Sequence, residues 1–424
     1  MPRFFVVWIG QLFSGLGSTV AAFGLNIWVY KTSGSIASLS VGMLLALLPI
    51  VVLSPFSGVV ADRYNRRVIL LVADCGGMAV AVILAMLAYV GYLTIVVVYV
   101  SVFLQACAGA LRWPAYQAFV SEAVPSNKRR HAVGMMQISE AVSQIAAPAL
   151  GGALFAAMGA EGVIVGDIVT YVIAVGASLM TGPMVSGSYG ATREGFFASL
   201  SLAWDAIKRD AMTASLLVFN AGINAVIGVV TVLATPFILS FASSRELGLV
   251  MSIALSGMLL GGMASIFMGK LEGQIKLIFW LSVVASLSIM IAPLAGNIYW
   301  FSGFGFIFFF GVSSINSAGQ LIWQSSLPIK MQGRIFSLKR ALVFIVLPFS
   351  YVVAPALSSV FKGVDEGRVF MGFYIFSGRL SGDQAGIAAT LFVSGLFLLC
   401  VSVALLARGG VWQYRLSADL VSSE

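Results

Sequence analysis

The sequence predicts an all-α membrane protein of about twelve transmembrane helices in two six-helix halves, with both termini cytoplasmic. Three observations carry this. Hydrophobic residues make up 60% of the 424 residues and charged residues only 9%, with a mean hydropathy of +1.01. A soluble domain carries about a quarter charged residues, so no water-soluble surface can be built from this composition. The apolar residues also fall in blocks of about 20 residues, the length that crosses a bilayer. Finally, the basic residues gather between alternate blocks.

The blocks read as spans near 4–30, 36–60, 68–90, 94–122, 131–157, 161–183, 211–240, 246–268, 277–294, 299–327, 335–361 and 385–407. The fourth, tenth and eleventh are long and should tilt or project. The first follows Arg3 and exceeds the apolar core of a signal peptide, so it reads as a retained span. With the N-terminus in the cytoplasm, five of the 24 basic residues (Lys31, Arg245, Lys362, Arg368 and Arg379) fall outside and Arg112 falls within a span. The other 18 are cytoplasmic, as the positive-inside rule requires. The same scatter explains the net charge of +8 by loops facing anionic lipid, without nucleic acid.

The longest cytoplasmic connection, 185–210, holds Gly, Ser, charges and a short amphipathic stretch. It divides the chain into an N-terminal half (1–184), a linker (185–210) and a C-terminal half (211–424). A weak repeat agrees: Gln117, Pro125 and Arg130 recur at similar spacing as Gln320, Pro328 and Arg334. Parallel six-span repeats are a known transporter design.

Several chemistries are excluded. Cys75, Cys107 and Cys400 lie in apolar runs without CxxC spacing, so neither a disulfide framework nor a metal site is expected. His131 is the single histidine and sits in a basic loop, which removes haem ligation and histidine catalysis. No Walker loop is present, so ATP hydrolysis is not the drive. No cofactor is expected.

Between spans two and three stands Gly58-Val-Val-Ala-Asp62-Arg63-Tyr-Asn65-Arg66-Arg67. Gly58 allows close helix approach. Asp62 can accept hydrogen bonds, and Arg63, Arg66 and Arg67 can bridge to acids, with Glu122 at the end of span four a candidate. Such a cluster can latch a cytoplasmic gate. The pattern G-x-x-x-D-R-x-x-R-R at this loop resembles the signature of the major facilitator superfamily. That family usually has glycine where this chain has Asn65, and asparagine also tolerates a left-handed turn.

The resemblance extends through Trp8-Ile-Gly-Gln11, Thr32-Ser-Gly34-Ser35, Asp74, Trp113-Pro114-Ala115 and Val124-Pro125. These residues resemble the branch that contains macrolide-efflux proteins and the enterobactin exporter. Ala147-Pro148-Ala-Leu-Gly151-Gly152 is similar to the tail of the motif of proton-driven antiporters, with alanine where glycine usually precedes the proline. Pro148, Gly151 and Gly152 would bend span five and permit close packing. The counterpart of the Asp-Arg loop in the second half, Gly269 to Lys276, lacks the helix-ending aspartate.

Four charged residues lie within spans: Asp74, Arg112, Glu140 and Asp167. A charge at the bilayer centre costs about 2.5–3.5 kcal/mol on insertion scales, so each needs a partner or a wet cavity. Arg112 should pair with Glu140 or Asp74. Such a pair is either a fixed tie between spans or a proton-coupled switch, with Glu140 the better proton carrier and Asp74 the better latch. Asp167, near the outer end of span six, reads as structural.

Polar residues recur at helical spacing. Gln11, Ser14 and Ser18 share a face of span one, Gln105 and Arg112 of span four, and Gln137, Glu140 and Gln144 of span five. Asn220 and Asn224 share a face of span seven, and Asn316, Gln320 and Gln324 of span ten. Amides of this kind glue helices together at roughly 0.6 kcal/mol each. In the resembled fold, spans one, four, seven and ten line the central cavity, which favours a cavity-lining role. Trp8, Trp28, Phe23, Phe219 and the Phe306 to Phe310 run would add an aromatic component.

The resemblance implies a secondary active exporter. It would exchange protons for a mid-sized amphipathic drug, siderophore or natural product at the inner membrane, with lipid around it and as a monomer. Lipid or lysolipid transport is the alternative. A membrane-embedded transferase is disfavoured by the lone histidine and dispersed acids.

Overall fold

The computed structural model describes residues 2–125, 128–180, 204, 208, 211–265, 274–294, 296–326, 338–339, 342–365 and 382–407. Local signals set the boundaries of the first helices. α1 (Pro2–Ser33) stops at Gly34, whose φ of 60° suits the left-handed residue that closes a helix. Ser35 then caps α2 (Ile36–Arg63) by accepting a hydrogen bond from the Ser38 amide. Asn65 caps α3 (Arg66–Tyr89) and Thr94 caps α4 (Ile95–Ala123) in the same way.

Arg129–Met180 is helical except at Gly159, whose φ of 66° and ψ of −158° fold the chain back on itself. Its two arms are α5 (129–158) and α6 (160–180). In the second half come α7 (Ala211–Leu239), α8 (Ser244–Ala264), α9 (Gln274–Ile291), α10 (Ile298–Ser326), α11 (Val346–Asp365) and α12 (Asp383–Ala407). A capping box opens α8, where Ser243 and Glu246 exchange backbone and side-chain hydrogen bonds.

Eleven helical segments are long and apolar enough to cross a membrane. One of them, His131–Met180, covers both arms of the α5–α6 hairpin, so the described residues make twelve crossings. The expected spans are met to within a few residues except the eleventh. There a turn at residue 345 precedes α11, while residues 342–344 are already helical. The 185–210 linker lies outside the described residues but for Trp204 and Lys208, whose ammonium sits 4.9 Å from the Trp204 ring centroid.

The side of the bundle where α1 begins is called near, and the side where α1 ends is called far. A heptad of glycines welds α1 to α6. A side chain at Gly10 would meet Ala174 and Ala177, one at Gly17 would meet Thr170, and one at Gly24 would meet Val163. Pairs that run down one helix and up the other make the two antiparallel. The first six helices form one bundle and the last six another, joined mainly where α5 meets α8 and where α2 meets α7 and α11.

Those joining contacts gather toward the far side. Phe23, Ile27, Ile36, Met43 and Phe155 of the first half pack into the core of the second. Toward the near side, Gln137, Glu140 and Gln144 on α5 and Asn316 on α10 are exposed. The crevice between the halves therefore opens at the near side.

The cores of the two halves differ. In the second half a single apolar cluster runs through Phe237, Phe308, Leu233 and Trp323. In the first half the apolar core is split. Phe4, Leu70 and Phe119 anchor a near cluster, while Leu25, Leu84 and Ile164 anchor a far one. A layer of polar residues lies between them.

Candidate functional site

That polar layer is assembled from four helices. Asp74, on α3, is fully buried, and a carboxylate out of water must be hydrogen-bonded or paired. Gln11 Nε2 donates to its Oδ2 at 2.7 Å. Arg112 Nη1 stands 3.6 Å from its Oδ1, too far for a good hydrogen bond but close enough for an ion pair. The same Nη1 donates to Ser14 Oγ at 2.8 Å. One turn along α1, Ser18 Oγ donates to Asp167 Oδ1 at 3.1 Å and lies 3.2 Å from the Tyr171 hydroxyl. α1 thus presents Gln11, Ser14 and Ser18 as a ladder between two carboxylates and one guanidinium.

A cavity of about 240 Å³ adjoins this layer, between α1, α2 and α4. Ala46, Ile50, Val102 and Leu25 give it apolar walls, and Gly15, Ser18, Thr19, Gln105, Arg112 and Tyr171 give it a polar floor. Drug-sized sites run to about 300–1,000 Å³, so this cavity is smaller than a complete site of that kind.

The expected Arg112–Asp74 pair is present. Glu140 is not part of it: among the described residues it pairs with neither Arg112 nor Asp74, and it is exposed. Glu140 shares with Gln137 and Gln144 the α5 face that, two turns on, meets α1 at Gly151. A neighbouring face meets α8 at Pro148 and Gly152. The stripe therefore borders the crevice, away from the buried layer.

Other expected cavity residues divide by burial. Gln105, Arg112, Asn224 and Gln320 are half-buried, and Asn316 is exposed. Gln11 and Asn220 are both buried. Gln11 is consumed by Asp74, and the Asn220 carbonyl accepts from Asn224 Nδ2 at 2.9 Å. Lys339 reaches over the Trp323 ring at 4.8 Å and to Gln320 Oε1 at 3.4 Å. Phe219 and Phe308 are core residues of the second half.

At the Asp-Arg loop, the backbone places Gly58, Asp62 and Arg63 in the last turns of α2 and Glu122 in the last turn of α4. Their side chains lie outside the described residues. Asn65 departs from the left-handed expectation: its φ is −59°, and its side chain accepts from the Arg67 amide at 3.0 Å. It serves as a helix cap, which glycine cannot do with a side chain. Arg66 opens α3.

Among the described residues Arg67 meets main-chain carbonyls. Its Nε and Nη2 each donate at 2.9 Å, to the carbonyls of Ser178 and Leu179 in the last turn of α6. A helix end carries unsatisfied carbonyls and partial negative charge, so this fork ties α3 to α6. Arg67→Ala should lower unfolding stability in detergent by about 1.5–3 kcal/mol, the range of a charged hydrogen bond. Arg67→Lys should recover only part of it, because a point charge cannot fork.

Pro148, Gly151 and Gly152 keep helical backbone angles, and the break in the helix is at Gly159. All three sit at close helix contacts. A side chain at Gly151 would meet the Val20 carbonyl and Phe23 of α1, and one at Gly152 would meet the backbone of Ser244 and Gly248 on α8. Gly248 in turn faces the Pro148 carbonyl, and the Ala149 amide donates to Ser252 Oγ at 2.9 Å.

Asp167, which its place near a span end marks as structural, is 1% exposed and belongs to the polar layer. The sequence does carry a signal for this. Asp167 and Tyr171 are four apart on one helix face, and Ser14 and Ser18 are four apart on another.

Two six-helix halves around a crevice, with a buried ion pair beside a cavity, define a multi-pass membrane transporter. Residues 7–361 match the Major Facilitator Superfamily, and the chain belongs to that family. It is a transporter and not an enzyme. Among curated proteins it is 23% identical over 419 residues to macrolide efflux protein A of Streptococcus pyogenes, covering 95% of this chain and 94% of that one. Among solved structures, the nucleoside transporter NupG superposes with a TM-score of 0.70 at 11% identity, covering 98% of this chain and 100% of that one. A bacterial homologue of the human lysosomal transporter Spinster, inward-facing and unoccupied, gives 0.69 at 14% identity, covering 96% and 97%. These two show the fold.

Proposed function

We propose that this chain is an exporter of the cytoplasmic membrane, with its near side in the cytoplasm, that moves a mid-sized amphipathic organic compound outward in exchange for protons. The observation that carries the reading is the Asp74–Arg112 pair, buried between helices yet bordering a cavity on the Arg112 side. A proton on Asp74 cancels the carboxylate and leaves Arg112 with Ser14 alone. The guanidinium, which carries five donors, then turns to an acceptor group of the compound in the cavity. Loss of the proton reverses the exchange, so one arginine serves proton and compound in turn.

The name of the Streptococcus pyogenes relative supports export and a drug-like substrate. The excess of basic residues in near-side segments supports the orientation. In this mechanism Asp74 carries the coupling, and Glu140 is a carboxylate at the crevice wall. The protein works as a monomer without a bound cofactor, with the proton gradient as its drive.

The test is proton flux in proteoliposomes under an imposed pH gradient, with erythromycin, a catechol siderophore and a lysolipid as probes. Compound-evoked proton flux should fall at least about tenfold in Asp74→Asn, a loss of about 1.4 kcal/mol of coupling. It should persist in Glu140→Gln. Flux that survives Asp74→Asn and dies in Glu140→Gln would return the coupling role to Glu140. Compound movement without proton flux would overturn antiport.

A further inference from the structure

Asp167 sits on α6, 1% exposed, against the same face of α1 that meets Asp74. Its Oδ1 is satisfied by Ser18, while Oδ2 is buried with no hydrogen-bond partner. Among the described residues no cation pairs with it, and Arg112 is engaged with Asp74 and Ser14. A buried carboxylate with one oxygen orphaned is costly when charged and takes up a proton instead. The groups facing it are Ser18 from α1 and Tyr171 from its own helix, with Arg112 from α4 and Asp74 from α3 beyond them. Gly77 of α3 leaves room for the Tyr171 hydroxyl against that helix. Ser18 and Tyr171 both line the cavity floor, whereas Asp167 lies behind them.

We infer that Asp167 is a second proton-carrying carboxylate of the same transport site, loaded from the cavity through the Ser18 and Tyr171 hydroxyls. The step balances without another reactant. Ser18 passes its hydroxyl proton to Asp167 and receives one from the cavity, directly or by way of Tyr171, so one proton moves and both hydroxyls are restored. The inference rests on proton-driven transport, and it gives the site two carboxylates that share one arginine. Release of the proton becomes easier when Arg112 leaves Asp74 and turns toward Asp167, so the two acids discharge at different points of the cycle.

Infrared difference spectroscopy of the purified full-length protein, stepped from mildly acidic to mildly alkaline pH, tests this without any substrate. Wild type should show a carboxylic-acid C=O stretch that titrates. Asp167→Asn should lose it, Asp167→Glu should shift it, and Asp74→Asn, which frees Arg112 to turn toward Asp167, should keep a titrating band whose midpoint moves to lower pH. Thermal melting of each variant checks that the fold is kept, and Asp167→Glu carries the test if Asp167→Asn does not fold. A titrating band unmoved by either Asp167 variant overturns the assignment. So does a band that Asp167→Asn removes but that no pH change alters in wild type, since that acid would be permanently protonated. Erythromycin-evoked proton flux, measured in parallel, separates the two readings. A titrating Asp167 band without flux sinks antiport alone, and flux without such a band sinks this inference alone.

Discussion

Arg112→Leu should be the most destabilising single substitution in the first half, and adding Asp74→Asn to it should restore most of the loss. The guanidinium is the only cation within 4 Å of Asp74 among the described residues, and the carboxylate has no access to water. Removing one partner of a buried ion pair costs about 3–5 kcal/mol, because the other charge is left uncompensated. The double variant buries two neutral groups, and Gln11 can still donate to an asparagine amide oxygen. Unfolding in detergent followed by tryptophan fluorescence measures both. Equal stability of Arg112→Leu and wild type would mean that water or another group already serves Asp74. The double variant should nonetheless fail in proton-coupled flux, which separates the structural part of the pair from the chemical part.

Gly152→Val should abolish transport with little damage to either half. The atoms facing Gly152 are backbone, the Ser244 carbonyl and the Gly248 Cα, and backbone cannot swing aside as a side chain can. A branched side chain there must push α5 and α8 apart on the far side. Overpacking of this kind costs about 1–3 kcal/mol, enough to shift an equilibrium between two conformations about 5–150-fold. Distances between spin labels on the far ends of α2 and α11 should lengthen relative to wild type, with melting temperature nearly unchanged. Unaltered distances and flux would show that α8 shifts along α5 to absorb the change. Gly151→Val is the matched control, because its neighbours belong to α1 and the damage should appear as lower stability of the first half.

The elements most legible in the sequence are those with a periodic or compositional cause. Long apolar blocks and caps such as Ser35 and Thr94 place the helices to within a few residues. The Arg112–Asp74 pair is legible because intramembrane charges are scarce and must find each other. Glu140 is harder to place, because depth along a helix does not reveal azimuth relative to a neighbour, and its helix turns that face to the crevice. The partners of Arg67 are illegible for another reason. They are main-chain carbonyls at the end of α6, and every helix end offers those whatever its sequence. Gln11 and Asn220 are buried, and an amide's own sequence context does not reveal its burial. The Gly10, Gly17 and Gly24 heptad points directly at the α1–α6 contact, and that contact brings Asp167 beside Ser18.

Gly151 and Gly152 are one peptide bond apart and touch different bodies, α1 on one side and α8 on the other. The separation of those two helices is therefore set by the thickness of a bare helix, with no side chain as cushion. α5 cannot tilt across α8 without carrying α1, and Ser14 and Ser18 ride on α1. The spacing between the Ser14 hydroxyl on α1 and the Arg112 guanidinium on α4 is in this way open to any strain that α8 passes through α5 to α1. The Ser18–Asp167 spacing, by contrast, is held by the α1–α6 weld.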